Sequence, residues 1–425
     1  MMPLLAAIPL ILLVVLAVGC AVYYAVVLQK VALTRRLVPL LSVGLDDSNE
    51  LVLHQRVAVV IPAHNEEELI AACAQTLACQ DFPGELRVIF VLDRCSDHTE
   101  RVLRETVGDD DRFEIIVNEH CPDGWAGKVH ACHVGSVRAR ELDADYFLFA
   151  DADCAFEPEC IRAAVAMIRR RRVGMLSLLP TLANDRTFER LDQPAAGVEL
   201  LRQFPLHRVN RRTKPKRFAN GQFMLFSAEA YETIGGHEAV KDSILEDLAF
   251  ARLAVDVVPR VRIGVLMADG LLRCKMYESR AEFQRGWRRI FIEAAYCQPR
   301  ELRKHAWRLR LSGVVFPIAA PLAFAAGAIV ATMGDKPLAY ALGIAGGSAT
   351  FMFFFAMFVI YRFQGVPLLW APLYPIGAFS VSNILARAAR DLATGKPTEW
   401  GGISYQRPRD GGRDGRGVDS PAEEL

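Results

Sequence analysis

No C-x-x-C pair and no regular spacing links the ten cysteines, so neither a zinc-ribbon pattern nor a disulfide framework is indicated. Reduced, mostly buried thiols are the expectation, and they suit a catalytic domain facing the cytoplasm. No G-x-G-x-x-G follows the first predicted strand and no G-x-x-x-x-G-K-[ST] occurs, which argues against a dinucleotide cofactor and a P-loop. Excess charge is also missing. The 50 Lys and Arg nearly balance the 49 Asp and Glu, leaving a net charge of +1, and no nucleic-acid partner is expected. Finally, no basic n-region precedes the first apolar run, so a cleaved signal peptide is not predicted.

What the chain does have is a sharp segregation of its apolar residues, which make up 52% of the whole. Pro3 to Leu28 carries no charge and is long enough to cross a hydrocarbon core of about 30 Å, so residues 1–29 are predicted to be an uncleaved transmembrane anchor. Lys30, Arg35 and Arg36 follow it and place the next segment inside. Residues 311–389 are predicted to hold two or three further spans. Leu311 to Met333 and Leu338 to Ile360 read as a helical hairpin joined by Gly334-Asp335-Lys336-Pro337. Val366 to Leu385 is broken by Pro367, Pro372 and Pro375 and reads as either a span or a re-entrant segment. A full span would carry Arg387, Arg390 and Lys396 outside, against the charge rule. Residues 400–425 form a polar tail expected to lack fixed structure.

Between the apolar regions, residues 50–300 alternate strand and helix patterns. Arg56 to Pro62, Leu86 to Leu92, Phe113 to Val117, Tyr146 to Ala150 and Met175 to Leu179 read as strands. Helical patterns lie between them, notably Glu66 to Gln80, Lys128 to Leu142 and Glu159 to Arg171. This alternation predicts an α/β fold with a doubly wound, mostly parallel sheet, whose ligands bind at the carboxyl ends of the strands. Three strands end there in polar groups: Asn65 and Glu66 after the first, Asp93 at the second, Asp151 and Asp153 after the fourth.

Asp151-Ala152-Asp153 sets two carboxylates one residue apart behind a buried strand. Such oxygen ligands suit Mg²⁺ or Mn²⁺, with a substrate diphosphate completing the shell. In Ser243-Ile244-Leu245-Glu246-Asp247, Ser243 and Glu246 match a capping box, which leaves Asp247 without a structural duty and makes it the candidate general base. Lys128, in Gly124-Trp125-Ala126-Gly127-Lys128, opens a helix and is placed to meet phosphate. His130 and His133 have no third ligand nearby and read as helix-face packing.

These pieces together resemble the membrane-bound family 2 glycosyltransferases of GT-A fold. The pattern is most similar to the lipid-modifying subgroup of ceramide, carotenoid and hopanoid-associated enzymes. The matching stretches are VVIPAHNEE, VLDRCSDHT, DGWAGKVHAC, LFADADC, NGQFMLF, GGHEAVKDSILEDLAFAR and EWGGISY. The resemblance implies that Pro62, Ala63 and Glu66 line a nucleoside pocket and that Asp93 accepts from the base. It further implies that Asp151 binds nucleotide or metal, that Asp153 holds the metal, and that Asp247 is the base of an inverting single displacement. Lys128 and the Asn220-Gly221-Gln222 turn would flank donor and acceptor. The implied partners are a nucleotide-sugar donor, expected to be UDP-linked, a lipid acceptor and the membrane. Arg94-Cys95 replaces a second acidic residue common in the family, and Gln284-Arg285-Gly286-Trp287-Arg288 transposes the Trp and Arg of the Q-x-x-R-W motif. The latter argues against a processive polysaccharide synthase; an inactive scaffold would have lost Asp153 or Asp247, and both are present. Arg285 to Trp307 reads as a basic, aromatic interfacial helix leading into the hairpin.

Overall fold

A computed structural model describes residues 4–46, 50, 52–396, 398–400 and 403–405; most of the expected polar tail therefore lies outside the described residues. Short β-branched and aromatic runs build a seven-stranded sheet of order β3-β2-β1-β4-β8-β6-β9. Its members are β1 (Arg56–Ala63), β2 (Glu85–Asp93), β3 (Phe113–Asn118), β4 (Tyr146–Ala150), β6 (Met175–Leu179), β8 (Phe223–Ser227) and β9 (Ile263–Met267). A small second sheet joins β5 (Cys154–Phe156) and β7 (Thr181–Leu182) to β10 (Leu272–Cys274).

Alternation along β1 explains the two-sided core. Val57, Val59 and Ile61 point to the face covered by the helices Ile70–Ala78 and Cys160–Arg171. Ala58 and Val60 point to the other face, under the helix Gly127–Glu141. The result is an α/β sheet with helices on both faces, mostly parallel but not wholly so. β8 runs antiparallel to both β4 and β6. Its register pairs Ala150 with Phe223, so the start of β8 reaches the same edge at which β1, β2 and β4 end.

Among the described residues, four helical stretches are long and apolar enough to cross a membrane: Ile8–Leu37, Pro299–Thr332, Lys336–Phe363 and Leu368–Ala393. On the first, Ile11, Val15, Val18, Val22 and Val26 form an exposed stripe, while Ala17, Cys20, Tyr24, Val27 and Val31 are buried. The hairpin is present as Phe316–Thr332 and Lys336–Phe363, and the former continues the helix Pro299–Arg310. After Pro367 the third stretch begins as a 3₁₀ turn, Leu368–Leu373, then becomes the helix Tyr374–Ala393.

The expected single helix from Arg285 to Trp307 is instead two, Arg280–Ala294 and Pro299–Arg310. The break falls at Tyr296 and Cys297, whose φ angles of 51° and 55° are left-handed and cannot continue a right-handed helix. Trp287 is 4% exposed and packs between Phe283 and Phe291, in one apolar cluster with Tyr24 and Val27 of the N-terminal helix. It is part of the seam joining catalytic and apolar regions, not an open interfacial aromatic.

Candidate active site

The carboxyl edge of the sheet gathers the acidic groups because its register levels the strand ends. Ala63 pairs with Leu92, and Val60 with Phe149, so the residues that follow β1, β2 and β4 emerge side by side. Lys128, in the first turn of Gly127–Glu141, reaches into this edge. Its Nζ lies 2.6 Å from Asp151 Oδ1 and 2.7 Å from Glu246 Oε1. Burial alone would disfavour the ammonium, but Asp151 and Glu246 outweigh it and hold its pKa well above the lysine range.

Glu246 is thus a site residue that the capping-box pattern concealed. The helix Glu246–Arg252 starts from Leu245 with no side-chain cap, so Ser243 does not form the box. Tertiary ion pairing has won over local capping. Asp247, next along, accepts hydrogen bonds from Gly221 N at 2.9 Å and from Leu248 N at 2.7 Å. Desolvation, and then the nearby Glu246 charge, push its carboxyl up to about 7 against those hydrogen bonds. Antiparallel β8 is what brings Gly221 here. A Cβ on Gly221 would stand 3.2 Å from Glu246 Oε1, 3.4 Å from Asp247 Oδ2 and 3.4 Å from Lys128 Nζ. Gly221→Ala is therefore expected to spread these three groups and cut turnover about tenfold, as small displacements of reacting groups do, while the Tm moves little; steady-state kinetics beside a melting curve checks it.

Asp153 and Glu66 complete a crowded set of carboxylates. Desolvation and then Asp151 raise Asp153 to about 7, while desolvation and then Asp153 and Asp151 raise Glu66 to about 8. Hard oxygen donors repelling one another in partial burial fit a divalent cation, whose charge would relieve what Lys128 alone does not. The structure also places two thiols beside them. Cys154 Sγ lies 2.6 Å from Cys274 Sγ across the β5–β10 pair and 3.5 Å from Asp153 Oδ1. Separated by 120 positions, these cysteines gave no spacing signal in the chain.

The remaining expected positions lie along the same edge. Pro62 and Ala63 end β1, and His64 Nδ1 sits 2.6 Å from the Asp93 carbonyl. Asp93 is buried and both its carboxylate oxygens are engaged: Arg94 Nε and Nη2 donate to them at 3.1 and 2.5 Å, and Asn118 Nδ2 donates at 2.8 Å. A left-handed backbone at Arg94 (φ 50°) folds its guanidinium back over Asp93. His130 and His133 pack against Trp125, with ring centroids at 5.4 and 4.9 Å.

Two further groups were not legible in the chain. Tyr277 is half-buried, but its hydroxyl is buried and has no hydrogen-bond partner among the described residues; burial, with Asp153 and Asp151 nearby, raises its pKa. Arg289 is desolvated close to Tyr277, Glu246, Asp151 and Asp247, which are the charges acting on its pKa. Tyr277 precedes the helix Arg280–Ala294 and Arg289 lies within it; Gly286 lets that helix lie against Tyr277, since a Cβ there would meet Tyr277 Oη at 2.3 Å.

Residues 58–235 match the model of Glycosyl transferase family 2. A 4,4'-diaponeurosporenoate glycosyltransferase of Staphylococcus aureus strain USA300 is 26% identical over 246 residues, 55% of this chain and 60% of that one. Among solved structures, a mannosyltransferase from Pyrobaculum calidifontis in complex with GDP-Man and Mn²⁺ is 16% identical, at a TM-score of 0.47 over 90% of this chain and 99% of its own. Residues 1–349 of S. aureus TarS in complex with UDP-GlcNAc give 14% identity and a TM-score of 0.39, over 83% of this chain and 97% of that one.

Proposed function

We propose that this chain, residues 58–235 of which match the model of Glycosyl transferase family 2, transfers one sugar from a UDP-sugar to a lipid at the membrane, with inversion. The observation that carries the lipid acceptor is the helix Arg280–Ala294. Its Arg289 lies in the field of Asp151 and Asp247, while its Phe283, Trp287 and Phe291 are packed with the N-terminal apolar helix. Reaction edge and membrane region thus share one element, and an amphiphile resting at the interface presents its headgroup to the edge. The relative acting on diaponeurosporenoate supports the same acceptor class.

In this reading Asp247, aimed by Gly221 N and Leu248 N, takes the proton from the acceptor hydroxyl as that oxygen attacks the sugar. Lys128 stays charged between Asp151 and Glu246 and offsets negative charge at the donor diphosphate. Asp151 and Asp153 would hold Mg²⁺ or Mn²⁺, which supplies charge neutralisation to the departing nucleotide when bound. Pro62, Ala63 and Glu66 would line the nucleoside pocket, with Asp93 fixing Arg94 and Asn118 as part of its wall.

The test is membrane lipid extract incubated with UDP-sugars, Mn²⁺ and purified full chain, read by mass spectrometry for a lipid gaining one hexose mass. Stripping divalent ions with EDTA is expected to abolish the product, and Mn²⁺ to restore it. A ladder of polymer, or no transfer from any UDP-sugar, overturns the proposal.

The catalytic domain is proposed to face the cytoplasm, following Lys30, Arg35 and Arg36. The helix Tyr374–Ala393 then lies along the catalytic side instead of crossing. Arg288 Nη1 bonds Asp391 Oδ2 at 2.7 Å near one end, and Ser380 Oγ bonds Asp192 Oδ2 at 3.0 Å toward the other. This keeps Arg387, Arg390 and Lys396 inside. With the exposed Cys79 replaced by serine, a Thr394→Cys thiol is expected to be labelled from the same face as a Glu232→Cys thiol in sealed vesicles. Labelling from opposite faces sinks this topology.

A further inference from the structure

A cavity of about 250 Å³ lies where the N-terminal helix meets the helices Thr187–Gln203 and Pro299–Arg310. None of its lining residues belongs to the Lys128 cluster. Three cations converge on it, Lys30, Arg202 and Arg308, beside the phenol of Tyr23 and the aliphatic Val26 and Val27.

The neighbouring carboxylate cannot balance them. Glu199 is 2% exposed and already pairs with Arg202, with His305 Nδ1 at 3.0 Å and with Gln203 Nε2 at 2.8 Å. Among the described residues, Lys30 and Arg308 have no carboxylate within ion-pair distance. Positive charge continues behind them: burial together with Arg211, Arg208 and Lys30 holds His207 below the usual imidazole range. Cations crowded in a half-buried, apolar-walled space repel one another, and an anion entering it gains from all of them.

The walls define what kind of anion. Val26 is 45% exposed and continues the outward stripe of Val15, Val18 and Val22 on the N-terminal helix. One side of the cavity is therefore the lipid-facing surface, and Trp307, 68% exposed beside Arg308, is the type of side chain that settles at the headgroup level. A guanidinium fork matches phosphate oxygens in pairs, and lysine adds a point charge. The volume holds a headgroup and not a whole lipid, which leaves the acyl chains to lie along the stripe.

We propose that this cavity binds the phosphate headgroup of an anionic phospholipid from the leaflet on which the catalytic domain rests. Bound there, the lipid clamps the end of the N-terminal helix to Arg202 and Arg308 and seats the catalytic domain on the membrane.

Native mass spectrometry of the full chain in detergent tests it, titrating phosphatidylglycerol against phosphatidylcholine. Phosphatidylglycerol is expected to be retained preferentially, and the double variant Lys30→Gln/Arg308→Gln to weaken it roughly thirtyfold, at about 1 kcal/mol per lost cation. Arg303→Gln, an exposed cation on the same helix, is expected to bind within about twofold of wild type. Should the double variant fail to fold by circular dichroism, Lys30→Gln alone carries the test, with a proportionately smaller loss expected. Equal retention of the two lipids, or unchanged binding by the Lys30 variant, overturns the proposal. Full displacement by millimolar inorganic phosphate also overturns it, since that outcome marks a site for free anions.

Discussion

Asp247→Asn is expected to lower kcat by about 10²- to 10⁴-fold, the range over which a positioned general base contributes. The substitution keeps an oxygen for one of the two backbone donors, Gly221 N and Leu248 N, so the loop and the donor site should survive. KM for the nucleotide sugar should therefore move little while turnover collapses, and steady-state kinetics separates the two. The wild-type pH profile supplies an independent check. Asp247 acts only when ionised, and burial beside Glu246 has raised its carboxyl to about 7. Below that value the base is protonated, so kcat/KM should fall about tenfold per pH unit, and above it the limb should flatten. A profile already flat from pH 5 upward would remove Asp247 from the role of base.

Lys128→Met is expected to be the most damaging change to the fold within the site. Asp151 and Glu246 both rest on the one ammonium, and Glu246 is 3% exposed. Removing the cation leaves two negative groups facing each other with little water to screen them, and breaking such a buried pair costs about 3–5 kcal/mol. Urea unfolding should register the loss as a lower midpoint at unchanged slope. Adding Glu246→Gln to Lys128→Met should recover part of the stability, because it removes one of the stranded charges, yet activity should stay low. If Lys128→Met unfolds at the wild-type midpoint, the ammonium is not the counterion that holds this edge together.

How much of this was legible in the chain follows from the range of each interaction. RVAVVIPAHNEE, LRVIFVLD and YFLFADAD each combine a strand pattern with the polar residues that end it. The edge bearing Glu66, Asp93, Asp151 and Asp153 could therefore be read from short windows. Glu246 could not. Its local sequence favours a capping box with Ser243, and only the approach of Lys128, 118 positions earlier by number, gives its carboxylate a stronger partner. The reversed direction of β8 has no local signature either, since a strand's side-chain period is the same whichever way it runs.

The sequence by itself determined the segregation into apolar helices and an α/β domain, because burial in lipid or in a parallel sheet demands long uncharged or β-branched runs. It also determined which carboxylates end the strands. Only the tertiary structure decided what those carboxylates meet. Packing the antiparallel β8 into the sheet brought Gly221 to Asp247. Breaking the segment from Arg285 to Trp307 at Tyr296 and Cys297 buried Trp287 in the seam and turned Arg289 toward the acidic edge. Folding the N-terminal helix against Thr187–Gln203 set Lys30 beside Arg202 and Arg308. Charges far apart in the chain become a site only when the core that forces them together has formed, and that core is a property of the whole fold.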